Sequence, residues 1–124
     1  MRNFVVRMVV FPRYTTLVGT SAVYTMPVDV REIAEAIFVA WMGTGIGATP
    51  ATVEFKVQQS VDLAVWTDVV TITPSAGTET VSEVSFDLPW MRVMATVAGG
   101  DPGVSFWMTG ELVRREDAAE GEAA

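Results

Sequence analysis

The sequence has 124 residues, half of them hydrophobic, and a formal net charge of −7, which suits one folded domain and argues against general disorder. It contains neither cysteine nor histidine, so it can form no disulfide or thiolate metal site and lacks the commonest general base and metal ligand. We therefore expect no enzyme activity and no catalytic, cofactor-binding or metal-binding residues.

The charge is spread unevenly along the chain. Four of the fifteen acidic residues lie in the last nine positions, and we predict that residues 116–124 form an acidic, flexible tail behind a single β-sandwich domain of residues 1–115. Basic residues are few and form no stripe, so we expect no nucleic-acid partner.

The start of the chain is apolar but makes a poor signal peptide. Arg7 interrupts it, and no small-residue cleavage site follows closely. No apolar run approaches the ~18 residues of a membrane span. We therefore expect a protein made in the host cytoplasm, without a signal peptide and without a membrane partner.

The first predicted strand covers roughly residues 4–11 and is apolar on both faces, with Arg7 as the exception. The same two-faced pattern recurs at residues 36–42. Because a small sandwich buries few positions from both sides, such strands indicate either a surface that meets another molecule or a central strand covered by loops.

The segment Asp29–Met42 is ambiguous. A helix could begin there with Asp29 as its N-cap and Glu32 at the capping-box position. The apolar residues between Ile33 and Trp41 also alternate with period two, which favours a strand. We predict at most one short helical turn near residues 29–33, followed by a strand from about residue 35 to residue 42.

Three later segments alternate clearly between apolar and polar residues. Their inward-facing sets are Val53, Phe55 and Val57; Val84, Phe86 and Leu88; and Val104, Phe106, Met108 and Leu112. Glycine- and proline-rich loops at residues 43–50, 73–79 and 99–103 separate them, and Leu88–Trp90 is predicted to be a corner. The fold class that we predict is all-β, an antiparallel β-sandwich of jelly-roll type.

The tryptophans allow two interpretations, a sugar-stacking platform or core packing. They are Trp41, Trp66, Trp90 and Trp107. Trp66 lies beside Val65, and we predict that it plugs the core behind a polar corner at residues 60–62. Trp107 is the best surface candidate, because its neighbours on the same face are polar.

The acidic residues give no clear site. Four of them could offer oxygen ligands to a hard cation, namely Asp62, Asp68, Asp87 and Asp101, but their spacing matches no compact calcium loop. Nothing places two carboxyl groups together as glycoside hydrolysis requires. We interpret these residues as solvated turns.

Four stretches carry a family resemblance: AIFVAWMGTG, ATVEFKVQQSVDLAVWTDV, WMRVMATVAG and VSFWMTGELV. Over roughly Val30–Val113 the chain resembles small structural proteins encoded beside the capsid genes of tailed phages and prophages. One position departs from that pattern, because the usual Asp-Gly turn is Asp62-Leu63 here. A positive φ is disfavoured at a leucine, so we predict a wider corner.

The resemblance implies a virion structural protein, most directly a decoration (cement) protein on the phage head surface. It implies that the protein binds the major capsid protein or other virion proteins, and that it does so as a homo-oligomer. The alternative is a carbohydrate-binding module of a surface or tail assembly, which predicts a glycan partner and an exposed Trp107 or Trp90.

The candidate partner-binding residues combine the apolar start of the chain with its arginines. They are Phe4, Val6, Arg7, Arg92, Trp107, Arg114 and Arg115. The arginines could form bidentate pairs either with capsid carboxylates or with the chain's own acids.

Overall fold

The computed structural model describes residues 5–45, 51–99 and 103–115, and within them the chain forms nine strands and no helix. The strands are β1 (Val5–Val18), β2 (Ser21–Tyr24), β3 (Val28–Asp29), β4 (Ile33–Met42), β5 (Thr52–Ser60), β6 (Thr67–Ile72), β7 (Thr80–Val84), β8 (Trp90–Ala98) and β9 (Gly103–Arg114). The predicted all-β fold is confirmed. Phe4 and the predicted acidic tail lie outside the described residues.

The strands form two antiparallel sheets. The first sheet has the order β1-β9-β4-β7, and the second has the order β2-β8-β5-β6, with β3 also paired to β8. The pairs β1·β9, β2·β8, β4·β7 and β5·β6 are nested like one long hairpin that has been rolled up. This nesting, with successive pairs alternating between two packed sheets, is the jelly-roll arrangement that we predicted.

The inward faces follow the period-two pattern of the sequence. Val53, Phe55 and Val57 on β5 are fully buried, and on β9 so are Phe106 and Met108. Because successive side chains of a strand point to opposite faces, each of these sets lies between the two sheets. The alternation therefore predicted these core residues correctly. In the segment Val84–Leu88 it was right for the buried Val84 and Phe86, but Leu88 is only half-buried, because β7 ends at Val84 and the chain has left the sheet there.

Three phenylalanines occupy the centre of this core. The ring centroids of Phe11 and Phe106 are 5.5 Å apart, and those of Phe55 and Phe106 are 5.6 Å apart, both with edge-to-face geometry. Phe11 and Phe55 complete the triangle at 5.9 Å. The trio joins β1 and β9 of the first sheet to β5 of the second, so it holds the two layers together.

A glycine makes room for another core ring. Gly110 on β9 pairs with Phe38 on β4 and with Met8 on β1. A Cβ atom at Gly110 would lie 3.0 Å from Cε1 of Phe38, and Phe38 is fully buried. The Phe38 ring therefore fills the space that a side chain at position 110 would occupy.

The two apolar strands have different explanations. β4 is central in the first sheet and is flanked by β9 and β7, whereas β1 is an edge strand. On β1 the side chains of Val5, Val6 and Val9 are 47%, 52% and 63% exposed. β4 is therefore a central strand whose outward side chains Ile37, Val39 and Trp41 are half-buried, and β1 keeps apolar surface in solvent.

The segment before β4 forms a tight turn without a helix. The Ile33 amide donates to the Val30 carbonyl at 3.0 Å, and the Asp29 carboxylate accepts from the amide and guanidinium of Arg31. The Arg31 hydrogen bonds lower the pKa of Asp29. β4 then begins at Ile33, two residues before the predicted start, with a register shift before Glu35.

The corner at Leu88–Trp90 lies where we predicted it. β7 ends at Val84 in the first sheet, and β8 begins at Trp90 in the second. Proline at this point suits a segment that leaves one sheet for the other, because it cannot donate to a β-ladder.

The corner after Ser60 is wide, since six residues separate β5 from β6, but Leu63 adopts a φ of 67°, the conformation that we expected a leucine to avoid. Side-chain hydrogen bonds stabilise this conformation in the absence of a glycine. The Asp62 Oδ1 accepts from the amides of Ala64 and Val65 at 2.9 and 3.0 Å, and the Ser60 Oγ accepts from the Leu63 amide at 2.9 Å. The backbone hydrogen bonds from Val65 and Ala64 also lower the pKa of Asp62.

Replacing Leu63 with glycine is expected to raise the free energy of unfolding by about 1 kcal/mol, because glycine adopts positive φ without the Cβ clash that leucine meets. Leu63 is 44% exposed, so little packing is lost. Urea unfolding followed by circular dichroism measures the change. The matched control is Val61→Gly, two residues earlier in the same corner and outside the positive-φ region, which should be destabilised; equal effects of the two substitutions would contradict this explanation.

Candidate functional site

The outward face of the first sheet carries a row of β-branched residues that crosses all four strands. Val9 pairs with Thr109, Thr109 with Val39, and Val39 with Val81. Residues that pair directly across antiparallel strands have their side chains side by side on one face. Val9 and Val81, at the two ends of this valine row, are each 63% exposed.

Charged residues border the valine row on one side. Arg7, Glu111, Ile37 and Glu83 form the next row of the sheet. The Arg7 Nε lies 3.5 Å from the Glu111 carboxylate, in a pair that is largely exposed and therefore weak. Arg7 thus lies at the surface, as predicted, but beside its own chain's carboxylate.

Two stacked tryptophans lie on the other side of the valine row. Trp41 and Trp107 face each other across β4 and β9, with ring centroids 6.3 Å apart and an interplanar angle of 15°. They form part of a groove of about 560 Å³, which we call the tryptophan groove. Its lining residues are Arg13, Tyr14, Trp41, Gly43, Thr44, Glu79, Ser105 and Trp107.

The expectation that Trp107 is a surface residue is wrong, because its side chain is only 7% exposed. Its strand position does point outward, as its polar neighbours indicated. Trp41 covers one part of the ring, and the Arg13 guanidinium lies over it at 4.4 Å from the centroid. Trp90, the other residue expected to be exposed, is half-buried at the start of β8.

The second sheet has a different outward face, on which Arg92 is held between two aromatic rings. Its guanidinium lies 4.4 Å from the ring centroids of both Tyr24 and Trp66, and its Nε donates to Gln58 at 2.8 Å. The prediction that Trp66 is a core plug is therefore wrong. Trp66 is half-buried outside the sandwich, because the chain around it bulges from the corner after Ser60 before β6 begins.

Polar groups on this second face are paired with one another. The Gln58 amide donates to Asp68 at 2.8 Å, and the Lys56 ammonium lies 3.8 Å from Asp68 and 3.7 Å from Glu54. Together with the Arg92 contacts, this network gives these polar side chains of the second face hydrogen-bond or ion-pair partners within the chain. Exposed apolar side chains occur on both sides of the sandwich. On the second side they are Tyr24 and residues of the connecting segments, namely Met26, Val61, Leu63 and Val65, whereas on the first sheet Val9 and Val81 lie on the strands themselves.

The other predicted arginines also make contacts inside the chain. Arg114 pairs with Glu32 at 3.1 Å, and the Arg115 guanidinium donates to the Arg31 carbonyl at 3.2 Å. Val6 is exposed on β1 and lines a shallow cavity together with Arg114. The structure thus divides the predicted residues among separate surfaces, and their role in partner binding stays a prediction.

Two kinds of feature are missing from the part of the chain that the structure describes. No group of three or more acidic side chains there could hold a metal ion. No helix in that part is long and apolar enough to cross a membrane. The acidic residues weighed as cation ligands are turn or surface residues where they are described, and Asp101 lies outside the described residues.

Sequence reasoning missed the valine row and Tyr14. The row depends on strand order and register, which join residues from four separate strands. Tyr14 is 87% exposed with a φ of 66°, and the only sequence signal was Pro12 inside an otherwise continuous strand pattern, which indicates a bulge.

No protein-family model and no curated protein matches the sequence. Among solved structures, the PBSX exported protein XepA aligns with 90% of this chain at 16% identity and a TM-score of 0.71. The VP2 subviral particle of infectious bursal disease virus aligns with 92% of it at 10% identity and a TM-score of 0.55.

The chain spans 38% of the XepA chain and 33% of the VP2 chain, so it corresponds to one part of each. A family 29 carbohydrate binding module also aligns, at 12% identity, but its TM-score of 0.43 is too low to support an inference. At these identities the likeness is one of fold. The chain is an antiparallel β-sandwich with an architecture that is also found in a viral VP2 particle and in a PBSX exported protein.

Proposed function

We propose that this protein is a non-enzymatic structural component of a tailed-phage particle, a decoration protein that binds the assembled head. The observation that carries the proposal is the valine row, which leaves Val9 and Val81 each 63% exposed on an outward sheet face. Apolar surface of this kind is typical of sites that contact another protein. The resemblance of the sequence to phage structural proteins supports the same function.

The partner that we propose is the major capsid protein or a neighbouring virion protein. Among the described residues, neither Glu35 nor Glu83 on this face forms an ion pair. A complementary surface would therefore be apolar at its centre and carry arginine or lysine at its border. Arg7, which pairs only at the surface, is the residue of the predicted set best placed to join such a contact.

Binding of this kind stabilises a shell by mass action. A protein that binds the assembled capsid, but not its separate subunits, shifts the equilibrium toward assembly. We propose that the chain is made in the host cytoplasm, acts on the head surface and binds there as a homo-oligomer. Sedimentation velocity of the purified protein measures its oligomeric state.

Co-sedimentation with capsids of the phage or prophage that encodes the protein tests the proposal. We expect the wild-type protein to sediment with mature capsids at a fixed stoichiometry. Val9→Glu and Val81→Glu should each weaken binding by about ten-fold or more, because each places a carboxylate where a valine is buried in the complex. Thr71→Glu is the matched control, since Thr71 is exposed on the outward face of the second sheet.

Two results would contradict the proposal. One is failure of the wild-type protein to sediment with any particle component. The other is unchanged binding by both valine variants, which would remove the first sheet as the contact surface even if the protein were a virion component.

A further inference from the structure

One of the two non-glycine residues with positive φ in the described chain lies beside its tryptophan pair. Tyr14 has a φ of 66° and a side chain that is 87% exposed. Positive φ is uncommon for a bulky residue, and such strain tends to persist where it has a function. No packing explains it here, because the ring is almost entirely in solvent.

An irregularity in β1 produces this conformation. Phe11 pairs with Met108 and Thr15 pairs with Phe106, so three residues of β1 lie opposite Trp107 alone. Hydrogen bonds brace the bulge, from the Thr15 hydroxyl to the Pro12 carbonyl at 2.6 Å and from the Thr16 hydroxyl to the Tyr14 carbonyl at 3.1 Å. The bulge lifts Arg13 over Trp107 and presents Tyr14 at the rim of the tryptophan groove.

The groove combines aromatic surface with solvent-accessible polar groups that have few partners in the protein. Trp41 is half-buried in it, and Tyr14 adds a second ring at the rim. Within the described chain, the Glu79 carboxylate has no hydrogen-bond or ion-pair partner, and the Arg13 guanidinium has only its contact with Trp107. The Ser105 hydroxyl shares one hydrogen bond with Thr16 at 2.9 Å and keeps further capacity.

These groups match the chemistry of a saccharide. A pyranose ring has an apolar C–H face that stacks on an aromatic ring, and hydroxyls at its edge that bond to carboxylate and guanidinium groups. Arg13 and Glu79 carry opposite charges, so the groove favours a neutral ligand over an anion. Its volume of about 560 Å³ lies within the usual range for small-molecule sites, about 300–1,000 Å³.

We propose that the tryptophan groove is a binding site for a neutral saccharide, with one sugar ring on Tyr14 and the accessible part of Trp41 and with its hydroxyls bonded to Arg13 and Glu79. This goes beyond the proposed capsid contact and does not depend on it, because the groove and the valine row are separate parts of the first sheet's outward face. The buried Trp107 supports the site from below.

Isothermal titration of the full-length protein with cellohexaose, maltohexaose and chitohexaose tests the proposal. We expect at least one of these neutral oligosaccharides to bind, and the one that binds distinguishes β-linked glucose, α-linked glucose and N-acetylated sugars as the source. Tyr14→Ala and Glu79→Gln should each weaken binding at least ten-fold. Tyr24→Ala is the matched control, because Tyr24 is a 53%-exposed tyrosine on the other sheet, and it should leave the affinity unchanged.

A further variant separates a binding role from a structural one. Tyr14→Gly removes the backbone strain and should therefore raise the urea midpoint while abolishing saccharide binding. The proposal is overturned if none of the three oligosaccharides binds at millimolar concentration. It is also overturned if one binds but Tyr14→Gly and Glu79→Gln keep the wild-type affinity, because binding would then occur elsewhere on the molecule.

Discussion

Replacing Phe106 with alanine is expected to lower the free energy of unfolding by about 3–5 kcal/mol. Phe106 is fully buried and contacts both other rings of the phenylalanine trio. The truncation leaves a cavity between the two sheets that neighbouring strands cannot close. Such a loss is a large part of the ~5–15 kcal/mol that stabilises a typical domain.

Urea unfolding monitored by far-ultraviolet circular dichroism measures this loss. Val81→Ala is the control, because Val81 is 63% exposed and its truncation should change stability by no more than about 0.5 kcal/mol. Phe106→Leu should fall between the two. A loss below about 1 kcal/mol for Phe106→Ala would mean that the trio does not join the sheets as described.

The second large effect comes from adding a single methyl group at Gly110. Gly110→Ala is expected to cost about 1–3 kcal/mol, because overpacking a filled core forces side chains out of their preferred rotamers. The new Cβ would lie 3.0 and 3.1 Å from two ring atoms of Phe38, and 3.4 Å from the Cγ of Met8. Since Phe38 is fully buried, its ring can move away only if the surrounding core residues also shift.

A double-mutant cycle with Phe38→Leu tests whether this contact is the cause. In the Phe38→Leu background the smaller side chain leaves room, so Gly110→Ala should cost clearly less than in the wild-type protein. Additive effects of the two substitutions would show that the penalty at Gly110 arises from the backbone and not from the Phe38 ring.

The parts of the fold that depend on local pattern were predictable from the sequence. Alternation identified Val53, Phe55 and Val57 as core residues, and all three are fully buried. It also identified Phe106 and Met108 on β9. Period-two alternation reports which face of a strand is buried, because that property depends only on neighbouring positions along the chain.

The surfaces depended on contacts between distant positions and were predicted less well. The Trp107 side chain is hidden by Arg13 and Trp41, and Trp66 lies against Arg92, none of which follows from spacing along the chain. Leu63 shows a further limit. A propensity rule disfavoured its positive φ, but hydrogen bonds from the turn amides to Ser60 and Asp62 stabilise that conformation.

The nested pairing of the strands has a consequence for how the chain folds. Val5 on β1 pairs with Val113 on β9, so β1 has no partner until nearly all of the described chain has been synthesised. Pairing two strands that lie far apart in the sequence requires closure of a long loop, and this costs conformational entropy before the new contacts offset it. Folds with many such pairs typically fold slowly. During that delay the valines of β1 are exposed on an unpaired strand, so a nascent chain of this protein should depend on prompt completion, or on a chaperone, to escape aggregation.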